Sequence, residues 1–268
     1  MAEQEFDFGL LEEMMEDMAK EQQMVDEVVA KAKGSNRNLL RACHKGDLDM
    51  VKKILVDYNY SNKIEPGVKR IQTKMSSKKS RSKTELDLDI NILNGKPLML
   101  ACQFSHSDVA KYLLEKGANP HASNNLALRK AVENDDIDLI KLLVRSYGAR
   151  ANNNDALSLA CFRGKTMAIR ILVEEAGADI YQYDSKPLME ACRMGNQSAV
   201  EVLFEHDMKF EQTNGAGLMI AIENGHKGVV KFLLNQNLDN DKYQSNALIL
   251  AEKCEVEGML ELVQLWGK

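Results

Sequence analysis

The pattern Leu-x-x-Ala recurs along this chain at a nearly fixed interval, and that periodicity constrains the fold more than any single motif. It occurs at Leu39/Ala42, Leu98/Ala101, Leu128/Ala131, Leu157/Ala160, Leu188/Ala191, Leu218/Ala221 and Leu248/Ala251. The first two alanines are 59 residues apart, and the later intervals are 30, 29, 31, 30 and 30. A period in this range marks one supersecondary element copied along the chain, so a residue's meaning is set by its place in the copy.

With the alanine of each repeat as position zero, apolar side chains return at +8, +9, +12 and +13. The second repeat has Val109, Ala110, Leu113 and Leu114, the third Leu139, Ile140, Leu143 and Val144, and the sixth Val229, Val230, Leu233 and Leu234. Offsets of 1, 3 and 4 make the buried face of a helix. Position +4 is Gly46, Gly164, Gly195 and Gly225 in four repeats, where a glycine lets the first helix stop and turn. Each repeat is therefore expected to be a helix of about eight residues, a tight turn and a second helix of about ten. Helices this short cannot bury both faces as one pair, so successive pairs must stack into a solenoid.

The segments "KPLMLA" (96–101) and "KPLMEA" (186–191) resemble the T-P-L-H-x-A signature of ankyrin repeats. "NGHKGVVKFLL" (224–234) and "LLEKGAN" (113–119) are similar to two further segments of that family, and the likeness runs over residues 36–268. The resemblance implies an all-α ankyrin-repeat solenoid of about seven stacked helix-turn-helix units. The signature threonine is absent throughout, its proline survives only as Pro97 and Pro187, and the period falls short of the family's usual 33. The shortening lies between one repeat's second helix and the next repeat, so most projecting hairpin loops are expected to be trimmed. Such short-loop repeats are similar to divergent arrays of large DNA viruses and their hosts.

Charge divides the remaining sequence. Residues 1–30 hold ten acids and one lysine, and residues 63–83 hold eight basic residues and one glutamate, within a chain of formal charge -5. The domain reading is an acidic amphipathic N-terminal helix over 1–35, followed by the repeat domain over 36–268 with a basic insertion at about 62–90. The first segment places Leu11, Met14, Met15, Met18, Val25, Val28 and Val29 at helical spacing. It reads either as a cap on the first repeat or as a Met-rich helix offered to a partner groove. Lys69, Arg70, Lys74, Lys78, Lys79, Arg81 and Lys83 form the basic run of the insertion, read as a hairpin finger or a basic loop. The alternation in "LDLDINI" (86–92) predicts a strand there. At the other end Glu255 replaces the turn glycine and Gln264 a core apolar residue, as a terminal cap requires, with Trp266 covering the last helix edge.

Chemical candidates dissolve into the repeat. Cys102 and His106, four residues apart, have the spacing of a nucleophile and its base or of two metal ligands. Yet Cys43, Cys102, Cys161 and Cys192 all follow the repeat alanine, which makes them small core residues. His106 and His226 share position +5, where the resemblance implies a histidine that satisfies the turn between helices. No phosphate-binding, dinucleotide, zinc-protease or serine-hydrolase motif is present, so neither an enzyme nor a cofactor, metal or small-molecule substrate is expected. No apolar run reaches about 18 residues, which excludes a membrane-spanning helix. The acidic N-terminus differs from a signal peptide, and five cysteines without a C-x-x-C pair suit a reducing compartment, so the expected location is intracellular, cytoplasmic or nuclear.

What remains is a surface. By register, positions -1, +2 and +3 stay uncovered on the concave side of such a stack. Phe104, Phe162, Arg163, Arg193 and Met194 occupy +2 or +3 and are the candidate protein-binding anchors, since aromatic and arginine side chains dominate interface energetics. The functional expectation is a non-catalytic protein–protein interaction scaffold that holds a partner protein on its concave face. The alternatives are a nucleic-acid-associated protein gripping phosphates through 63–83, or an enzyme inhibitor acting through the acidic N-terminal segment.

Overall fold

A computed structural model describes residues 8–62, 88–151, 155–208, 213, 215–236 and 240–266. Among these residues all regular structure is helical. The chain divides into two compact units, Met1–Ala118 and Asn119–Lys268.

The first unit opens with α1 (Phe8–Lys31), followed by the first repeat, α2 (Gly34–Lys45) and α3 (Leu48–Asn62), and the second, α4 (Ile92–Gln103) and α5 (Ser107–Glu115). Val25, Val28 and Val29 of α1 are buried, and Arg37 of α2 donates from Nε to the Ala32 carbonyl at 2.9 Å, satisfying the end of α1. The second unit carries five repeats. The third is α6 (Ala122–Glu133) with α7 (Ile137–Lys141), which runs on into a π-helical turn, Leu142–Ser146. The fourth is α8 (Ala156–Phe162) with α9 (Thr166–Glu174), and the fifth α10 (Gln182–Arg193) with α11 (Gln197–Glu205). The sixth is α12 (Ala216–Glu223) with α13 (Lys227–Leu234), and the seventh α14 (Asn240–Lys253) with α15 (Met259–Gln264). Inner helices pack on inner helices and outer on outer, as α8 on α10 on α12 and α9 on α11 on α13.

Burial follows the predicted register. The alanines Ala101, Ala131, Ala160, Ala191 and Ala221 are fully buried, as are the leucines three residues before them. The small side chain at the crossing lets neighbouring helices approach, and enlarging it would overpack the stack by roughly 1–3 kcal/mol. The first helix ends in a left-handed turn at +4, with φ of 69° at Gly46, 66° at Gly164, 69° at Gly195 and 74° at Gly225. Ser105 and Asp135 take the same conformation at φ 56° and 57°.

The entry to the inner helices was not expected. In the second, third and fifth repeats three consecutive residues at -8 to -6 are left-handed: Leu93–Gly95, Ser123–Asn125 and Tyr183–Ser185. Each run follows an Asx turn in which Asp89, Asn119 or Asp179 accepts a hydrogen bond from the backbone N–H two residues on, at 2.9 Å in all three cases. This compact left-handed turn stands where a longer repeat would project a hairpin.

It also corrects the strand expected over Leu86–Ile92. In its described part Leu88 is buried, the Asp89 N–H donates to Asn36 Oδ1 at 2.8 Å, and Ile92 already starts α4. The alternation that suggested a strand reflects one buried leucine and a turn-forming aspartate. The basic residues Lys69, Arg70, Lys74, Lys78, Lys79, Arg81 and Lys83 lie outside the described residues. At the far end Gly258, at φ 71°, takes the left-handed turn that Glu255 cannot, so the last turn is longer than the others. Trp266 is buried there, its carbonyl accepting from Gln244 Nε2 at 2.9 Å.

Candidate binding surface

An inner helix buries positions -3, 0 and +1 and leaves -5, -2, -1, +2 and +3 on its opposite face, an arc fixed by the helical rotation per residue. In the second unit this open face is the surface that successive repeats build together. On α8 it carries Leu159 half-buried and Phe162 exposed, and on α10 Met189 half-buried and Met194 exposed. On α12 it carries Met219 and Ile220, both half-buried, and on α14 Ile249, which is 51% exposed. Apolar side chains thus run across four neighbouring helices on a face that the repeat leaves to solvent. Single exposed apolar residues are ordinary, and it is their recurrence on neighbouring helices that makes this face the candidate.

Phe162, Arg163, Arg193 and Met194 lie together at the C-terminal ends of α8 and α10. Asn196 ties these ends to each other, its Nδ2 donating to the carbonyls of Cys161 at 3.0 Å and Phe162 at 2.7 Å. Both arginines are held by carboxylates of the chain itself. Arg193 meets Glu190 at 2.7 Å, and Arg163 lies 3.6 Å from Glu133, which Lys130 also holds at 2.8 Å.

Phe104 sits in the first unit and is half-buried. Its ring meets that of His44 edge-on with centroids 4.6 Å apart, and stacks on His106 at 6.4 Å. Burial lowers the pKa of His44, offset in part by the Asp26 carboxylate on α1, which raises it. The -1 residue of the second repeat, Leu100, is fully buried, where Lys130, Leu159, Glu190, Ile220 and Leu250 at the same position are half-exposed. Positions -2 and -5 escaped the sequence reading, and with them Met189, Met219 and Ile249. Rotating the helix about its alanine would have found them, since -2 lies 200° from zero by ideal geometry.

The repeat histidines act on the previous repeat's turn. His106 Nε2 donates to the His44 carbonyl at 3.0 Å and His226 Nε2 to the Arg193 carbonyl at 2.8 Å. The cysteines are free, and four of them are buried. Desolvation pushes the thiols of Cys43 and Cys192 up to about 12 and that of Cys161 in the same direction, the opposite of what a nucleophile needs. Among the described residues no group of three or more His, Cys, Asp or Glu is arranged to hold a metal ion, and no helix is long and apolar enough to cross a membrane.

Comparison with known proteins agrees with this architecture. The family model described as ankyrin repeats (3 copies) matches residues 17–155 and 128–214. An ankyrin repeat protein of fowlpox virus (strain NVSL) is 31% identical over 163 residues, 56% of this chain and 86% of that protein. One from Acanthamoeba polyphaga mimivirus is 34% identical over 100 residues, 31% of each chain. The ankyrin repeat and KH domain-containing protein mask-1 of Caenorhabditis elegans is 29% identical over 182 residues, 63% of this chain but 7% of that protein. Among solved structures, the ankyrin repeat domain of human ASB11 superposes with a TM-score of 0.62 at 22% identity, covering 84% of this chain and 96% of that one. The ankyrin repeat domain of Bcl-3 gives 0.57 at 20% identity, covering 85% and 97%. At these identities the structural likeness speaks for the fold alone.

Proposed function

Because the chain belongs to the ankyrin repeat family, whose repeats generally serve as protein–protein interaction modules, we propose that it is a non-catalytic scaffold holding a partner protein on the open face of its inner helices. The observation that carries this reading is the apolar stripe from Phe162 through Met194 and Met219 to Ile249. Methionines suit such a surface, because their flexible side chains adapt to an incoming shape. The paired arginines add planar, partly dehydrated groups at the rim, and Phe104 is a separate candidate on the first unit. The burial of Val25, Val28 and Val29 supports a capping role for α1 over its presentation to a groove.

The test is capture of a partner by the full chain, followed by measurement of its Kd. Replacing Phe162, Met194 and Ile249 by alanine together should weaken binding by at least about 2 kcal/mol, roughly thirtyfold. An unchanged Kd overturns the assignment of the face. Parallel deletions of residues 1–30 and of 63–83 report whether either charged segment is the contact instead.

A further inference from the structure

The middle of the apolar stripe is built from methionine. Met189 and Met219 are half-buried at the same register position, -2, on the packed helices α10 and α12, and Met194 on α10 is 45% exposed. The other methionines described in the second unit divide sharply. Met208 and Met259 are buried, whereas Met167 is 51% exposed but stands on the outer helix α9, away from the open face. In the first unit Met99, also at -2, is buried.

A thioether that reaches solvent is both an adaptable contact and a site of oxidation. Its sulfur lone pair attacks one oxygen of hydrogen peroxide. An S–O bond forms, the O–O bond breaks, and the leaving hydroxide takes the proton of the transferred hydroxyl and departs as water. Sulfur is oxidised by two electrons and the peroxide is reduced. The product sulfoxide is a polar hydrogen-bond acceptor. In the free chain water satisfies it. Beneath an apolar partner segment it is desolvated with no donor to meet it, and an unpaired polar group buried in this way opposes binding.

We propose that Met189, Met194 and Met219 are sites of reversible oxidation by hydrogen peroxide, and that their sulfoxides switch off partner binding on this face. Reversal is the work of methionine sulfoxide reductases, in which two thiols become a disulfide and the sulfoxide oxygen leaves as water. The proposal rests on the partner-binding reading above and adds a modification to it.

The first measurement is peptide mapping by mass spectrometry after graded peroxide treatment of the full-length chain. Met194 and Met167 should oxidise first, then Met189 and Met219. Met99, Met208 and Met259 should be slower than these by about tenfold or more, because their sulfurs are reached only as the fold opens. If Met189 and Met219 react as slowly as the buried three, the proposal fails.

The second measurement uses linear peptides selected from a displayed random library against the reduced full-length chain. At the dose that oxidises the face and spares the buried three, their affinity should fall about tenfold or more. Sulfoxide reductases with dithiothreitol should restore it. The Met189→Leu, Met194→Leu, Met219→Leu variant, whatever its starting affinity, should keep that affinity through the same treatment. Met167→Leu should lose binding on oxidation as wild type does. The triple variant retains Cys254, so an equal loss in it would trace the effect to another residue and overturn the proposal. A Tm lowered by more than about 4 °C in the treated chain would mean that binding fails through unfolding, and would overturn it as well.

Peptides indifferent to the Phe162→Ala, Met194→Ala, Ile249→Ala variant, or no selected peptide at all, would bring down the functional reading and the proposal together. Peptides that need those three side chains yet bind the oxidised chain unchanged would leave the reading intact and overturn the oxidation switch alone.

Discussion

The imidazole of His226 lies directly over Gly195 of the preceding repeat: a Cβ built on that glycine would stand 2.5 Å from Nδ1. The same contact joins His106 to Gly46 at 2.5 Å and Asn196 to Gly164 at 2.9 Å. At the one described junction of the second unit where +4 is not glycine, Asp135 meets Lys165 of the next repeat in an ion pair of 3.0 Å. What stands at +4 is therefore matched to the +5 residue of the following repeat. Three of the glycines meet a ring or amide that reaches the turn's carbonyls, Gly225 meets the Val256 side chain with a Cβ approach of 2.6 Å, and Asp135 meets a lysine.

Gly195→Ala should lower stability by about 2–3 kcal/mol, combining a left-handed alanine with a ring that must move. Urea denaturation measures it, and a double-mutant cycle with His226→Ala separates the two parts. The cost should shrink in the His226→Ala background, because only the backbone part remains. An equal cost in both backgrounds would show that the ring is not what excludes the methyl group.

Asp135→Gly should change stability by less than about 0.5 kcal/mol. Relief of a positive φ at a non-glycine residue offsets the loss of a half-exposed ion pair, which is worth little. A loss well above 1 kcal/mol in thermal or urea unfolding would mean the pair contributes more than its exposure suggests.

Phe162→Ala and Met194→Ala should leave unfolding within about 0.5 kcal/mol of wild type, since the side chains are 39% and 45% exposed. Leu157→Ala, at a fully buried position in the same helix as Phe162, should cost about 2–5 kcal/mol. Comparable losses at all three sites would place the first two in the core and remove the surface assignment.

Thiol reactivity follows burial. Under native conditions a labelling reagent should reach the half-buried Cys254 first, while Cys43, Cys102, Cys161 and Cys192 react only as the fold opens. The linkage has a definite sign. Folded-state thiol pKa values are raised, so the unfolded chain ionises first and stability falls as pH rises above about 8.5 towards 12. Urea midpoints at pH 7 and at about pH 9.5 should differ in that direction, and replacing Cys43 and Cys192 by alanine should reduce the difference. Full labelling of all five thiols in the folded state would contradict the packing.

Much of this was legible in the residues because the period multiplied every weak signal. One Cys102–His106 pair looks like chemistry. The matching positions of Cys192 and His226 show it to be packing, and the observed bond from His106 to the His44 carbonyl gives the histidine its work. The left-handed entry turns were not legible as runs, because Leu93 and Tyr183 are residues whose propensities argue against positive φ, although Asn94, Asn124, Asn125 and Asp184 are of types enriched there. A further local clue was the Asp or Asn four residues before the start of each run. The strand expectation failed for a related reason: an Asx turn beside a buried leucine alternates polar and apolar just as a strand does. Of the candidate surface, the sequence reading named Phe162 and Met194 at +2 and +3 and passed over Met189, Met219 and Ile249 at -2, a position where Met99 and Ser158 of other repeats are buried.

The matching of +4 to the next repeat's +5 also bears on how such a chain can change over time. Repeat arrays grow and shrink by duplication and unequal exchange of whole copies. Here a copy ending in Gly195 accepts a successor that begins with a ring, whereas one ending in Asp135 asks for a lysine. A transplanted copy therefore lands well only where both of its borders find the correct neighbour. Splicing this array, in a genome or at the bench, is a problem of compatible junctions, and the cut that travels most safely keeps each turn together with the residue stacked on it.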